Sequence, residues 1–524
     1  MAKGAKSKKQ GTEKSLETTL WDSANKLRGS MEAGEYKHVV LGLIFLKYAG
    51  DKFDERKNEL IADGKGKYVE MLQFYTSKNV FYLPLESRWS YVMENSKQSD
   101  IVLKVDSALS MIEKNNPVLK GALPDNYYSR MNLDVSKFSA LLDIINSISV
   151  IGDSENDVIG RVYEYFLGKF ALSEGKKKGE YYTPKCVVKL ITEMIEPYLG
   201  KIYDPCCGSG GLFVQSKKFV ESHHGNTKDI SIYGQENTAT TYKLAKMNLA
   251  IRGISANLGN PADSFKADQH PDLKADFIMA NPPFNQKDWR EEKELIDDPR
   301  WSNYGVPATG NANYGWILHM LSKLSQNGVA GFLLANGALS GEGTEYKIRK
   351  QLIENDVVEA ILILPQNLFY TTDISVTLWI LNKNKKERSA EQNGKTVHFR
   401  NRQNKILFID LRPFGVPLEK KYIQLSDQEL AKISSTYHNW QRENTGETYA
   451  DVAEYCKSVD FEQIREKDYT LVPSNYIEFI KKIDISDFDA DMQHLQCELS
   501  ELLENDVKSK EELHKVMKDL GYDL

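Results

Sequence analysis

Apolar residues recur at helical spacing through the first 150 positions, at Leu20, Ala24 and Leu27 and again from Val39 to Tyr48. Apolar side chains returning every three to four residues describe one face of a helix. Residues 15–150 are therefore expected to form a helical N-terminal domain, used for packing or for interaction. Val158, Val162, Tyr163, Phe166 and Phe170 continue the same period as an amphipathic face. Ser173-Glu174-Gly175-Lys176-Lys177-Lys178-Gly179 then interrupts it as a flexible basic loop.

From Thr183 the period changes. Thr183 and Pro184 read as N-cap and first residue of a helix running to about Tyr198. A short strand at Ile202-Tyr203, a helix from Leu212 to Val220, a strand from Ile230 to Gly234, a helix from Thr238 to Ile251 and a strand from Asp276 to Ala280 follow. The apolar runs Val329–Leu334, Val357–Leu364, Val376–Leu381 and Ile406–Ile409 predict later strands of the same sheet. Strand and helix in alternation predict a doubly wound α/β domain over residues 151–475. Strand signals then stop, and a helical C-terminal tail is expected over 476–524. Met492, Leu495, Leu499, Leu502 and Leu503, then Leu513, Val516, Met517 and Leu520, predict two helices. So apolar a stripe needs cover, either as a cap on the α/β domain or against another subunit.

Composition narrows the class. A chain of 524 residues has room for two or three domains. The stretch Val39–Leu46 is far too short to span a bilayer and ends at Lys47, so no membrane segment is expected. Lys3, Lys6, Lys8 and Lys9 lie in a polar leader, residues 1–14, without the apolar region of a secretory signal; it reads as a disordered basic tail. Cys186, Cys206, Cys207, Cys456 and Cys497 form no CxxC pair, which points to reduced thiols and a cytoplasmic protein. The net charge of −6 argues against a chain that grips DNA over a wide surface alone. Residues 481–524 hold six lysines against twelve carboxylates, so the remainder is close to neutral.

The candidate chemistry begins at Asn281-Pro282-Pro283-Phe284, directly after the apolar run Phe277-Ile278-Met279-Ala280. Two prolines stop the strand and hold the backbone around Asn281 extended, at the C-terminal strand end where open α/β sheets place ligands. The tetrapeptide is either a strand-ending turn with a core aromatic or a pocket for methyl transfer to a conjugated amino nitrogen. Such a nitrogen is a poor nucleophile, and acceptors on its N–H bonds would turn it toward tetrahedral geometry. The Asn281 side-chain oxygen and the Pro282 carbonyl can supply two acceptors, and Phe284 can stack on a planar target. The motif demands no metal.

Asp204-Pro205-Cys206-Cys207-Gly208-Ser209-Gly210-Gly211 follows the first strand and opens a helix, and its glycines allow close backbone approach to a ligand. Dinucleotide sites share such a loop, but the G-x-G-x-x-G spacing fails here and no Walker A run exists. Glu236 ends the second strand, where a carboxylate can take both hydroxyls of a ribose. Asp263 lies in the loop Gly259–Phe265 and can accept from an adenine amino group. Cys206 and Cys207 read as small fillers beneath the loop, with no base placed beside them.

The ordered set resembles amino-methyltransferases that use S-adenosylmethionine, and in detail the N6-adenine DNA methyltransferase (M) subunits of type I restriction-modification systems, the HsdM family. Gly179-Glu180-Tyr181-Tyr182-Thr183-Pro184 looks like that family's first cofactor motif, and Asp204 to Gly211 like its main one, with Cys206 where a small residue is usual. Gly234-Gln235-Glu236 and Asp263 match the ribose and adenine positions, and Asn281, Pro282, Pro283 and Phe284 the catalytic motif. Gly160–Leu167 and Leu364–Tyr370 also look like that family, and the motif order is that of the γ group.

The resemblance implies a Rossmann-like, S-adenosylmethionine-dependent domain that binds cofactor through Tyr181, Tyr182, Thr183, Pro184, Asp204, Gly208, Ser209, Gly210, Gly211, Glu236 and Asp263. It implies methyl transfer to N6 of an adenine flipped from double-stranded DNA. A separate specificity (S) subunit would read the sequence, with two M per S and a restriction (R) subunit as a further possible partner. N4-cytosine DNA methylation, N5-glutamine protein methylation and a silent structural subunit are the alternatives.

Overall fold

The computed structural model describes residues 21, 33–131, 133–147, 163–169, 183–369, 375–419, 421–443, 445–479 and 488–519. The basic leader, Leu20, Ala24, Leu27, Val158, Val162, Phe170, the loop 173–179, Tyr181, Tyr182, Tyr370 and Leu520 lie outside the described residues. Residues 1–477 form one compact unit and 478–524 a second.

Thirteen strands occur among the described residues: β1 (Gly200–Asp204), β2 (Ile230–Gly234), β3 (Ala256–Asn257), β4 (Ala275–Ala280), β5 (Leu324–Ala335), β6 (Val358–Ile363), β7 (Val376–Asn382), β8 (Arg388–Gln392), β9 (Lys395–Phe399), β10 (Lys405–Asp410), β11 (Val416–Glu419), β12 (Tyr422–Gln424) and β13 (Cys456–Asp460). Nine form one sheet in the order β13-β10-β6-β7-β5-β4-β1-β2-β3, while β8–β9 and β11–β12 are separate hairpins. Within the sheet only β7 and β13 run against the rest. The expected later strands are therefore present, and β7 is inserted between β5 and β6. Chain order turns back at β1 and β4, which lie side by side; that switch point opens a crevice at their C-terminal ends.

Successive side chains alternate between two cores, as the pleat requires. In β7, Leu378 and Ile380 join one and Trp379 and Leu381 the other. Helices cover both faces, so β6 and β7 are buried along their whole length and read as mainly apolar runs, with Glu359, Thr377 and Asn382 as buried polar positions.

The N-terminal residues form helices as expected, among them Ala33–Ala62, Ile101–Asn115 and Val135–Asn146. They share a core with Leu244, Met247 and Ile251 of the helix Ala239–Ile251, joined by Tyr163 and Phe166. The Tyr163 hydroxyl donates to the Leu244 carbonyl at 3.2 Å, which fixes the helical layer behind the start of the sheet.

Two expectations are corrected. The helix after Thr183 spans Lys185–Ile195 with Pro184, not Thr183, at its N-cap; the Thr183 hydroxyl is taken by Asn281 instead. It also stops short of Tyr198, because Pro197 disfavours helical geometry at Glu196, which is left-handed at φ 49°. In the C-terminal unit the two expected helices are one, Phe488–Asp519, of 32 residues. No glycine or proline lies between Leu503 and Leu513, Val507 continues the apolar stripe, and Lys510 pairs with Asp506 one turn back. No described helix is long and apolar enough to cross a membrane.

Candidate active site

The glycine loop begins where β1 ends. Gly208 and Gly210 have φ of 54° and 78°, backbone that a side chain would strain, and a Cβ on Gly210 would also press the Leu249 side chain at 3.4 Å. Open space surrounds the missing Cβ atoms of Gly208 and Gly211, so a ligand can approach that backbone. Gly210 caps the helix Gly211–Ser222, whose first turn faces the crevice.

Hydrogen bonds tie this loop to its neighbours. Asp204 Oδ1 accepts from the Cys206 amide at 3.0 Å, the Cys207 amide donates to the Gln235 carbonyl at 2.9 Å, and the Gly208 amide donates to Glu236 Oε2 at 3.0 Å. Glu236 Oε1 accepts from the Thr238 amide at 2.8 Å, which points the half-buried carboxylate at the glycine turn. The Ala262 amide donates to the Glu236 carbonyl at 3.0 Å, placing Asp263 one residue further on. Asp263 Oδ1 closes a tight turn by accepting from the Phe265 amide at 2.8 Å.

Burial pushes the Asp204 carboxyl up to about 7, and the charge of Glu236 adds to the effect. Burial and the same carboxylates hold both the Cys206 and Cys207 thiols well above their ordinary range. Protonated thiols are poor nucleophiles, in keeping with a filling role.

Asn281 leaves the end of β4 and is 8% exposed. Its Nδ2 donates to Thr183 Oγ1 at 2.8 Å, while its buried Oδ1 meets no hydrogen-bond donor. One end of the amide is thus anchored and the other is an empty acceptor. Pro282 is buried, and Phe284 sits edge-on to Phe369 with centroids 6.4 Å apart. The chain beyond is pinned by Asn313, whose Oδ1 accepts from the Asn285 amide at 3.0 Å and whose Nδ2 donates to Asn285 Oδ1 at 2.9 Å.

A cleft of about 400 Å³, measured to its open mouth, is lined by Thr183, Asp204, Gly208, Ser209, Gly211 and Asn281, with Val188, Cys206, Cys207 and Leu212 between them. Residues from three separate sequence motifs thus share one wall. Pro184, Gly210, Glu236, Asp263 and Pro282 to Phe284 stand outside that lining. Sequence reasoning named Gln235 only within Gly234-Gln235-Glu236 and gave it no role of its own. Its buried amide donates to the Ala262 and Ala267 carbonyls at 3.0 and 2.9 Å and accepts from the Gln269 amide at 3.0 Å, stapling the Asp263 loop to the end of β2. A polar residue inside a strand end, next to Glu236, was the available signal.

The residues suit an adenosyl sulfonium cofactor. The cleft offers bare glycine backbone, the Glu236 carboxylate bonded to the Gly208 amide beside it, and a carboxyl at Asp204 whose charge a cation would stabilise.

Comparisons with known proteins identify the family. The family described as N-6 DNA Methylase matches residues 154–484, and the HsdM N-terminal domain family matches residues 16–148. The type I restriction enzyme HindI methylase subunit of Haemophilus influenzae is 40% identical, over 84% of this chain and 100% of its own length. The MjaIX methylase subunit of Methanocaldococcus jannaschii is 35% identical, over 97% of this chain and 92% of its own. The solved methyltransferase subunit of a type I restriction-modification system from Streptococcus thermophilus superposes with a TM-score of 0.71 at 25% identity, over 88% of this chain and 99% of that one. The chain belongs to the methylase subunits of type I restriction enzymes, which are adenine-specific DNA methyltransferases.

Proposed function

We propose that this chain transfers the methyl group of S-adenosylmethionine to N6 of an adenine flipped out of double-stranded DNA. The observation that carries the reading is Asn281, whose Oδ1 is buried without a donor while its Nδ2 is held by Thr183. A buried acceptor left unpaired costs about 1–3 kcal/mol, and an incoming N–H relieves that cost. Asn281 Oδ1 and the Pro282 carbonyl accept the two N–H bonds of the target amino group, which favours bases with an exocyclic amine over those presenting a carbonyl there. Held this way, the nitrogen loses conjugation with its ring and its lone pair turns toward the cofactor.

When bound, S-adenosylmethionine supplies an electrophilic methyl group. Tyr181 to Pro184 and the loop Asp204 to Gly211 cradle it, Glu236 takes the ribose hydroxyls and Asp263 the adenine amine. Phe284 stacks on the flipped base and offsets part of the few kcal/mol that flipping costs. The product nitrogen then sheds its proton to water.

Sequence choice belongs to a separate specificity subunit, with two copies of this chain per copy of it, and a restriction subunit completes the assembly. Supporting this, Leu495, Leu499 and Leu502, and after an eleven-residue step Leu513 and Val516, stand three or four residues apart within each group along the C-terminal helix and are each 53–59% exposed. That spacing is the seam of a two-helix contact. The five free thiols fit a cytoplasmic setting.

Base-resolved mapping of DNA methylated by the chain together with its specificity subunit tests the reading. N6-methyladenine is expected, and N4-methylcytosine would overturn it. Asn281→Ala should keep cofactor binding by calorimetry and lose transfer; transfer at the wild-type rate would remove Asn281 from its assigned role.

A further inference from the structure

A second cavity, of about 770 Å³ measured to its mouth, lies at the other end of the sheet, against the start of β4 and the residues leading into β1. Phe277 and Val329 line its sheet side, Ile195 and Leu199 one flank, and Arg388 and Phe399 of the β8–β9 hairpin the opposite flank.

Its lining carboxylates are engaged elsewhere: Glu196 pairs with Arg442, Asp276 accepts from the Lys201 amide and Glu391 from the Thr396 hydroxyl, and none of the three bonds Arg388. Among the neighbouring cations, Arg402 bonds Glu359 at 2.7 Å and Arg442 bonds Glu196. Arg388 is half-buried over the Phe399 ring, 4.6 Å from its centroid, and makes no hydrogen bond or ion pair with any described residue. Burial and the nearby Arg402 disfavour its charge and together outweigh the favourable effect of Glu359, so an anion beside it would add support.

Unpaired polar atoms also gather here. The Nε atoms of Arg388 and Arg442 are buried donors without acceptors, and Gln392 Oε1 is a buried acceptor without a donor. Folded proteins leave few such atoms, and several around one cavity point to a missing partner with both kinds of group.

We propose that this cavity is a second ligand site, for a small aromatic monocarboxylate that also carries a hydroxyl or N–H donor. A guanidinium without an ion pair can take an anion, and its planar fork matches a carboxylate. The walls, with Phe277, Phe399 and Tyr437 among them, suit an aromatic body, and Gln392 Oε1 takes the donor. The site is independent of the methyl-transfer cleft and of any role assigned there.

Calorimetric titration of the full chain with para-hydroxybenzoate tests the proposal, with para-hydroxybenzamide as the uncharged isostere. Saturable binding to one site is expected, weakened at least about tenfold both for the amide and for Arg388→Gln. The amide comparison uses the unaltered protein, so it decides the matter even if the variant folds poorly. No saturable binding would mean a cavity holding water only and would overturn the proposal, as would equal affinity for the acid and the amide.

Discussion

Asp204 lies between the glycine loop and the sheet, 1% exposed, with its carboxyl pushed up to about 7 from an ordinary 3.8. Asp204→Asn keeps the shape and the Oδ1 acceptor for the Cys206 amide but removes the charge. At about 1.4 kcal/mol for each tenfold change in proton affinity, that displacement corresponds to about 4 kcal/mol. The sign follows from proton binding. The folded protein holds the Asp204 proton where the unfolded chain has lost it, so this contribution is complete below the unfolded value and disappears as pH rises through about 7. Wild type should therefore lose stability relative to Asp204→Asn as pH rises, by about 2.5 kcal/mol between about pH 5 and about pH 8. Other carboxylates cancel in the difference.

Urea unfolding of both proteins across that range measures it. Parallel stability curves would refute the claim that Asp204 is a buried, protonated acid. The same placement makes a second readout. A cationic ligand in the cleft lowers the acid's proton affinity, so S-adenosylmethionine binding near pH 6 should release protons, seen as a binding enthalpy that varies with the buffer's ionisation heat. Asp204→Asn should abolish that dependence.

Thr183→Val removes the anchor on Asn281 Nδ2 without changing shape; it should lower kcat about five- to tenfold, the worth of one orienting hydrogen bond, with cofactor affinity by calorimetry nearly unchanged. An unchanged kcat would show that Asn281 holds its orientation without it. At the buried Arg402–Glu359 pair, Arg402→Met strands a carboxylate that is 0% exposed and should cost about 3–5 kcal/mol in urea unfolding. Adding Glu359→Gln should restore much of that loss; if the double variant is no more stable than the single one, the stranded charge is not the cause.

Much of the fold could be read from apolar pattern alone, because strands covered on both faces leave mainly apolar runs, as at Val358–Ile363 and Val376–Asn382. Their order could not. Periodicity carries no information on neighbours, and β7 slips between β5 and β6 through long-range pairing. The β8–β9 hairpin had a turn signal, Asn393-Gly394, with φ of 48° and 72°. Its flanks alternate between exposed and half-buried positions outside the main sheet, so no apolar run advertised it. β13 lies at the edge of the main sheet and only Cys456 and Val459 of it are buried, so it too lacks an apolar run.

The site was legible as residue types and not as a hydrogen-bonding state. Two prolines after an apolar run locate Asn281 at a strand end, and the glycines of the first loop locate open backbone beside it. Neither pattern says which end of the Asn281 amide is satisfied. That depends on Thr183, 98 residues earlier, which local sequence assigns to capping its own helix. Once Pro184 takes the cap, the Thr183 hydroxyl is available to accept from Asn281 Nδ2, and the amide is turned with Oδ1 exposed to the cleft's contents. The first cofactor motif and the catalytic motif are therefore mechanically one unit. A change at Thr183 should register at the transferred methyl group before it registers at the cofactor.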